Sequence, residues 1–259
     1  MTNSELIEYI LSKAKYYADN IKKYRNDDGI YEIEYLGNKY NLKSVTTILK
    51  EILLDETINE YKDFKNEVGD EQFNLITQNA INRGNVMHKY FEEYAIGLQK
   101  NNFDSDNALL YAQQSVKSYK FSDTINEKSI NNGRRLFYNL YLNVIKDDMK
   151  VPLLVESFLF SLDYNYAGTC DILYIDKNGK LTLGDYKTAS GLIKKDSLKF
   201  HKYKFQIAAY KYAFKELYDI DIDNASIFIS TINGCQRIDL YQHEYDVYLK
   251  NFLKNIKTT

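Results

Sequence analysis

Pro152 is the only proline in the chain, and the hydrophobic pattern changes its period where it stands. Before it, apolar residues recur three and four apart over long stretches, the spacing of helices with one buried face. After it they alternate, as in strands that show one face to a core. Helices followed by strands and then by mixed elements predict an α/β layered fold, with a mixed central sheet flanked by helices. The chain has 259 residues and is 44% hydrophobic, enough for one sizeable core. No internal repeat or low-complexity linker divides it. Residues 1–259 therefore read as a single domain, mainly helical over 1–148 and α/β over 151–259.

The spacing predicts a helix over 4–24, a small hairpin over 30–43 turning at Gly37-Asn38, and helices near 45–66, 70–99, 104–119 and 127–148. Three strands follow in VPLLVESFLFSL, YAGTCDILYI and KLTLGDYKT. A helix over 203–219, strands over 225–232 and 236–241, and a helix over 243–256 complete the pattern.

A formal net charge of −2 excludes a global basic field, so a nucleic-acid partner would have to be held by a local patch. Cys170 and Cys235 match no paired-thiolate spacing for zinc or an iron–sulfur cluster, and read as idle thiols in a reducing compartment. No apolar run is long enough for a membrane span. The N-terminus has no signal-peptide core and carries acids that a presequence would avoid, so a cytoplasmic location is expected. The 25 tyrosines are open to two readings, half-buried core residues or base-stacking surfaces.

The chemistry concentrates in YAGTCDILYIDKNGKLTLGDYKT. Alternation puts Asp185 and Lys187 on one face of a strand, beside Leu181 and Leu183. A three-residue loop Lys177-Asn178-Gly179, with Gly in the left-handed position, pairs Asp176 with Lys180 and sets Asp171 opposite Asp185. Opposed carboxylates repel unless something lies between them. A shared divalent cation would turn repulsion into attraction, and oxygen ligands suit Mg²⁺ or Mn²⁺. Lys187 would then orient or deprotonate a water, or offset phosphate charge, as metal-assisted phosphodiester hydrolysis requires. The competing two-residue Asn-Gly turn would put the two acids on opposite faces, leaving Asp185 and Lys187 as an edge-strand ion pair. The same Asp-x-Lys pattern at Asp63/Lys65 and Asp148/Lys150 falls in helical stretches and reads as solvated surface.

Two helices carry polar groups on apolar stripes. Gln206 and Tyr210 share a face with Ala213 and Leu217; His88 shares one with Gly84, Phe91 and Ala95. Buried polar groups need partners, supplied by backbone in one reading and by substrate or metal in the other. Glu156 is a charge among apolar neighbours, explained by function or by an edge-strand position. From Lys187 to Lys204 the chain holds six lysines and one acid, Asp196, a local charge of +5 with His201 in addition. Lys194, Lys195, Lys199, His201, Lys202 and Lys204 thus read as a phosphate-gripping loop.

In order, His88 in a helix, Gly168-x-x-Asp171, Asp185-Tyr186-Lys187 and Gln206-x-x-x-Tyr210 resemble the motif set of RecB-like nucleases of the PD-(D/E)XK superfamily. KSVTTIL at 43–49, followed by RGNVMH, is similar to the front of phage-type and mitochondrial genome-maintenance exonucleases. The resemblance implies a restriction-endonuclease-like core and metal ligation by His88, Asp171, Asp185 and the Tyr186 backbone carbonyl. It makes Lys187 the catalytic lysine and Glu156 an accessory acid, with Gln206 and Tyr210 organising the site or contacting DNA, and Arg83 joining the DNA-binding set. It implies a Mg²⁺- or Mn²⁺-dependent DNA exonuclease acting on free ends, single-stranded ends among them. Its setting would be replication, recombination or repair in a bacterial or phage-infected cell, beside the proteins of those processes. The four cysteines of iron–sulfur relatives and a helicase-type phosphate loop are missing, so neither that cluster nor a nucleotide cofactor is expected. An endonuclease and a catalytically silent DNA-binding module are the alternatives.

Overall fold

The computed structural model describes residues 2–52, 62–195 and 197–256. Strands β1 (Ile21–Arg25), β2 (Ile30–Tyr35), β3 (Asn38–Ser44), β4 (Met149–Ser161), β5 (Tyr166–Asp176), β6 (Leu181–Thr188), β7 (Asn224–Thr231) and β8 (Gly234–Asp239) form one mixed eight-stranded sheet. Its order is β1-β2-β3-β5-β6-β7-β8, with β4 also paired to β5. The helices are α1 (Asn3–Asn20), α2 (Val45–Ile52), α3 (62–68), α4 (Asp70–Lys100), α5 (Ser105–Ser118), α6 (Glu127–Leu140), α7 (Lys146–Asp148), α8 (Leu198–Tyr218) and α9 (Gln242–Ile256). A π-turn at Tyr141–Ile145 joins α6 to α7.

Alternation along the central strands divides the apolar side chains between two cores. Leu173, Ile175, Leu181, Leu183, Ile227 and Ile229 pack toward α1, α2, α8 and α9. Ile172, Tyr174, Tyr186 and Phe228 pack toward α4, α5 and α6. The expected α/β architecture, a restriction-endonuclease-like sheet flanked by helices, is thus present. Two bare positions let the second layer close. A Cβ on Gly133 of α6 would lie 2.5 Å from Val86 on α4, and one on Gly97 of α4 would lie 2.8 Å from the Ala108 carbonyl of α5.

The strand β5 organises the site. One of its edges is occupied by β4 along nearly its whole length. The other is shared: β3 pairs in parallel at Tyr166 and Ala167, and β6 pairs antiparallel from Ile172 to Ile175. Between those two ladders lie Gly168 to Asp171, at a fork where the sheet opens.

Several sequence expectations are corrected. The first helix ends at Asn20; residues 21–25 instead pair with β2, Ile21 opposite Tyr35, because an edge strand can be held by its partner despite a charged sequence. The hairpin turns at Leu36-Gly37, one residue earlier than expected, with both in the left-handed region (φ 52° and 77°) as a tight twisted hairpin demands. That hairpin also belongs to the main sheet through β3, so the front of the chain is not merely a helical annex. The helix expected over 45–66 is described at 45–52 and 62–68, and the rest of it lies outside the described residues. Asp148 is not solvated: it is buried, accepts hydrogen bonds from Tyr174 Oη and Arg237, and Lys150 lies in β4. The helix expected from 203 begins at Leu198, where the Ser197 side chain accepts the Phe200 N–H. Lys199, His201, Lys202 and Lys204 therefore sit on α8, not in a loop. No helix among the described residues is long and apolar enough to cross a membrane.

Candidate active site

The hairpin between β5 and β6 has the register that the Lys177-Asn178-Gly179 loop demands. Gly179 takes φ 74°, Asp176 and Lys180 close the loop through a 2.9 Å N–H to carbonyl bond, and the ladder runs to Ile172 opposite Gly184. One step further stand Asp171 and Asp185, both buried. On the other side of β5, the register that pairs Val155 with Ile172 and Ser157 with Cys170 brings Glu156 level with Asp171. Three acids thus occupy one row across three neighbouring strands. Glu156 holds φ 46°, a backbone conformation unfavourable for a side chain of its kind. Strain of this sort persists where the surroundings fix it.

Helices from both faces of the sheet reach this row. From α4, His88 Nδ1 stands 3.5 Å from Asp171 Oδ1 and 3.9 Å from Glu156 Oε1. From α8, Gln206 Nε2 donates to Asp185 Oδ1 and to Tyr210 Oη, each at 3.2 Å. Lys187 Nζ forms an ion pair with Asp185 Oδ2 in the centre of the sheet, since β6 lies between β5 and β7; the edge-strand explanation falls away. Gly168 completes the arrangement. A Cβ there would meet Tyr210 Cε1 at 2.6 Å, so only glycine lets the Tyr210 ring lie against β5 at the fork.

Burial and charge compete at each group. Burial alone would lower the His88 pKa, but Asp171 and Glu156 outweigh it and raise it to about 10. Burial alone would raise that of Asp171, yet His88, Lys187 and the Tyr186 N–H hold it below the usual carboxylate value. Asp185 is pushed up to about 6 by burial, opposed by Lys187 and assisted by the Asp171 charge. Burial works against the charge on Lys187, but Asp185 and Asp171 raise its pKa. Two cations thus face three crowded acids, and the His88 ring gives up its extra proton before its nitrogen can hold a metal.

His88, Glu156 and Asp171 offer one nitrogen and two carboxylate oxygens that all lie within 4.8 Å of one another. That donor set fits a divalent cation, and its oxygen-rich chemistry fits Mg²⁺ or Mn²⁺. Asp185, expected as a ligand, lies outside that group of three, held by Lys187 and Gln206, and Glu156 stands within it. Tyr186 turns its ring to the opposite layer, stacked on Phe91 at 4.2 Å, while its backbone N–H donates to Asp171 Oδ2 at 2.6 Å.

The site opens into a cleft of 1390 Å³ lined by His88, Glu156, Tyr186 and Lys187 together with Arg83, Lys199 and Lys202. The remaining expected DNA contacts are not gathered there. Lys194 and Lys195 are exposed but do not line the cleft. Lys204 is buried and paired with Glu244 of α9, and His201 Nδ1 bonds to Tyr248 Oη at 2.8 Å. Gln206 and Tyr210 are buried too, bonded to Asp185 and to each other, and do not line the cleft. Tyr119 and Phe121, in the linker after α5, line the cleft and were not anticipated from sequence. The signal available was an aromatic pair flanking Lys120 in an otherwise polar stretch.

Comparison with known proteins bears on this geometry. No curated protein sequence matches the chain. Among solved structures it is similar to the crystal structure of SSO0001, at 13% identity over 64% of this chain and 74% of that one, with a TM-score of 0.29. A likeness that distant bears on neither fold nor function. The sequence model of the PD-(D/E)XK nuclease superfamily, however, matches residues 66–251, a span that holds His88, Glu156, Asp171, Asp185, Lys187, Gln206 and Tyr210. A match over most of its length, around the acid row and its lysine, shows that the chain belongs to the PD-(D/E)XK nuclease superfamily.

Proposed function

We propose that this chain is a Mg²⁺- or Mn²⁺-dependent deoxyribonuclease that hydrolyses phosphodiester bonds from free DNA ends. The observation that carries the reading is the row Glu156, Asp171 and Asp185, with Lys187 beside it and His88 above it, at the base of a cationic cleft. Membership of the superfamily supports hydrolysis of nucleic-acid backbone. The exonuclease form rests on the resemblance of the motif order to RecB-like and genome-maintenance exonucleases.

His88, Glu156 and Asp171 would hold the cation, with Asp185 and the Tyr186 carbonyl completing the set that the resemblance implies. Bound there, a divalent ion supplies a Lewis acid and lowers the pKa of water. The chain's own groups do the rest. Lys187, held protonated by Asp185 and Asp171, places a positive charge where a scissile phosphate would lie and offsets charge that builds up on its oxygens. Gln206 fixes the orientation of Asp185, and Tyr210 fixes Gln206. Arg83, Lys199 and Lys202 draw the backbone into the cleft.

The test is digestion of end-labelled linear DNA with Mg²⁺ or Mn²⁺, with EDTA as control and closed circles alongside. Metal-dependent loss of the linear substrate, circles spared, and no cleavage by Asp185→Asn are the expected results. Cleavage of circles would replace the exonuclease by an endonuclease. Normal cleavage by Asp185→Asn would remove the site itself.

A further inference from the structure

The segment that joins β6 to α8 carries the chain from Lys187, beside the acid row, to Lys199 and Lys202 in the first turn of α8. It lines the cleft where it leaves β6, at Ala189 and Ser190, and the cleft is lined again where α8 begins, at Leu198 and Lys199. At its start it is tied to the sheet by the Ala189 N–H, which donates to the Ser230 carbonyl of β7 at 3.0 Å. Beyond that, Ser190, Gly191 and Leu192 are exposed. The next tie comes from β8, at the edge of the sheet. Gln236 Oε1 accepts the Ile193 N–H at 2.8 Å, and Gln236 Nε2 donates to the Ile193 carbonyl at 3.0 Å. Both backbone polar groups of one residue are thus held by one side chain, because an amide carries acceptor and donor side by side as a peptide group does. From His201 onward α9 holds α8, through His201 with Tyr248 and Lys204 with Glu244. Among the described residues, the other hydrogen bonds between Lys194 and Phe200 are local ones that involve Ser197. Like charges press on this turn. Burial, then repulsion from Arg83 and Lys187, lowers the Lys199 pKa; burial, then Lys50, Lys187 and Lys199, lowers that of Lys202. A turn crowded by its own sign moves outward unless it is held.

We propose that Gln236 is a positioning residue of the cleft: by clamping Ile193 it fixes the path of the chain between Lys187 and Lys199 and keeps the first turn of α8 in place. The inference rests on the nuclease reading and adds to it a residue two strands away from Lys187. Asp185 and Lys187 themselves do not depend on the clamp. The ladder between β6 and β7 holds them, with Asp185 opposite Ile227 and Lys187 opposite Ile229, and Gln236 pairs with Ile229 from the far side. Loss of the clamp therefore weakens the hold of Lys199 and Lys202 on a DNA backbone and leaves the chemical step intact. That is the pattern of binding made equally in the ground state and the transition state.

Two variants of the full chain test this. Gln236→Met keeps the length of the side chain and removes both hydrogen bonds; Gln236→Glu keeps the acceptor for the Ile193 N–H and loses the donor. In EDTA, amide hydrogen exchange over residues 190–195 should be roughly tenfold faster in Gln236→Met, the ratio that two ordinary hydrogen bonds sustain, with the β6–β7 ladder unchanged. In digestion of end-labelled linear DNA the same variant should show KM raised about three- to tenfold and kcat within about twofold, with Gln236→Glu between it and the unaltered chain. A side chain that only packs would lower Tm and leave KM alone. Unchanged exchange over 190–195 would overturn the clamp, and faster exchange with unchanged KM would overturn its role in the cleft. A fall in kcat at constant KM would place the effect on the chemical step and overturn the proposal as well. Should the unaltered chain cut no DNA, affinity for the same labelled DNA in EDTA replaces KM, so that failure of the nuclease reading and failure of the clamp are told apart.

Discussion

The carboxylate of Asp171 accepts the backbone N–H of Tyr186 at 2.6 Å, so a side chain on β5 takes the place of a ladder bond to β6. The bond falls one step beyond the last backbone pair, Ile172 with Gly184, where the sheet begins to fork. One Asp171 oxygen is thereby committed to the fold, and the other faces His88. The two duties are separable by substitution. Asp171→Asn keeps an oxygen for the Tyr186 N–H but loses the anion, so the variant should fold, with cleavage reduced by at least about 100-fold. Circular dichroism and the end-labelled digestion check the two halves. Normal cutting by the Asp171→Asn variant would remove Asp171 from the chemistry.

Gly168, Tyr210, Gln206 and Asp185 form a chain of contacts, each holding the next. A methyl at 168 has nowhere to go, because Tyr210 is itself buried. Gly168→Ala should therefore cost about 1–3 kcal/mol of stability in urea denaturation. Gln206→Leu acts further along, freeing Asp185 from its positioning bond. Its kcat should fall roughly 10- to 100-fold with little change in KM, as expected of a group that orients another. An equal loss in KM instead would make Gln206 a substrate contact.

The hairpin that carries Asp171 and Asp185 was legible because its register is local. A Gly at the left-handed position of a three-residue loop fixes every pair behind it, and Asp171 and Asp185 follow by counting. The stripe carrying Gln206 and Tyr210 was legible for the same reason, since helical spacing says which residues share a face. What sequence could not supply depends on elements far apart in the chain. Glu156 becomes a neighbour of His88 only once β4 and α4 are packed on the same strand. The lysines of 194–204 look alike in sequence, yet Glu244, 40 residues on from Lys204, buries that lysine, while Lys199 and Lys202 remain in the cleft. Strand β1 reads as a continuation of α1, because its identity comes from pairing with β2 rather than from its own charged residues.

That division among the lysines has a consequence for stability. Lys204 is buried, and Glu244 is its counter-charge. Burial would raise the Glu244 carboxyl, but hydrogen bonds from Lys204 and the Tyr241 N–H, with the charge of Lys204, outweigh it and hold the pKa below its ordinary 4.5. A depressed carboxyl pKa stabilises the fold fully above the unfolded value and loses that contribution as pH falls through the folded one. Glu244→Gln should therefore cost about 2 kcal/mol at neutral pH, since it leaves a buried ammonium without an anion. The gap between the two proteins should narrow as pH falls below 4.5, which urea melts across that range will show. A gap that stays constant with pH would mean that the pair contributes packing and no charge.

The crowding of Glu156, Asp171 and Asp185 gives the last prediction, which needs no DNA. With three acids in one row and, among the described residues, His88 and Lys187 to offset them, a divalent cation binding to the folded chain relieves repulsion that the unfolded chain never feels. Such binding stabilises by mass action, about 2.7 kcal/mol at roughly 100 times the Kd. For a chain of this size that corresponds to a rise in Tm of about 5–10 °C. Mn²⁺ or Mg²⁺ added to EDTA-treated protein should produce this shift. Glu156→Gln removes both a repulsion from Asp171 and an attraction to His88, so it should change the cation-free Tm little while reducing the cation-induced increment. That contrast is the useful feature: a residue that merely packs would lower the cation-free Tm and leave the increment intact. If Glu156→Gln does that, the cation is held by Asp171, Asp185 and His88 alone, and the strained backbone at Glu156 serves only the edge of the sheet.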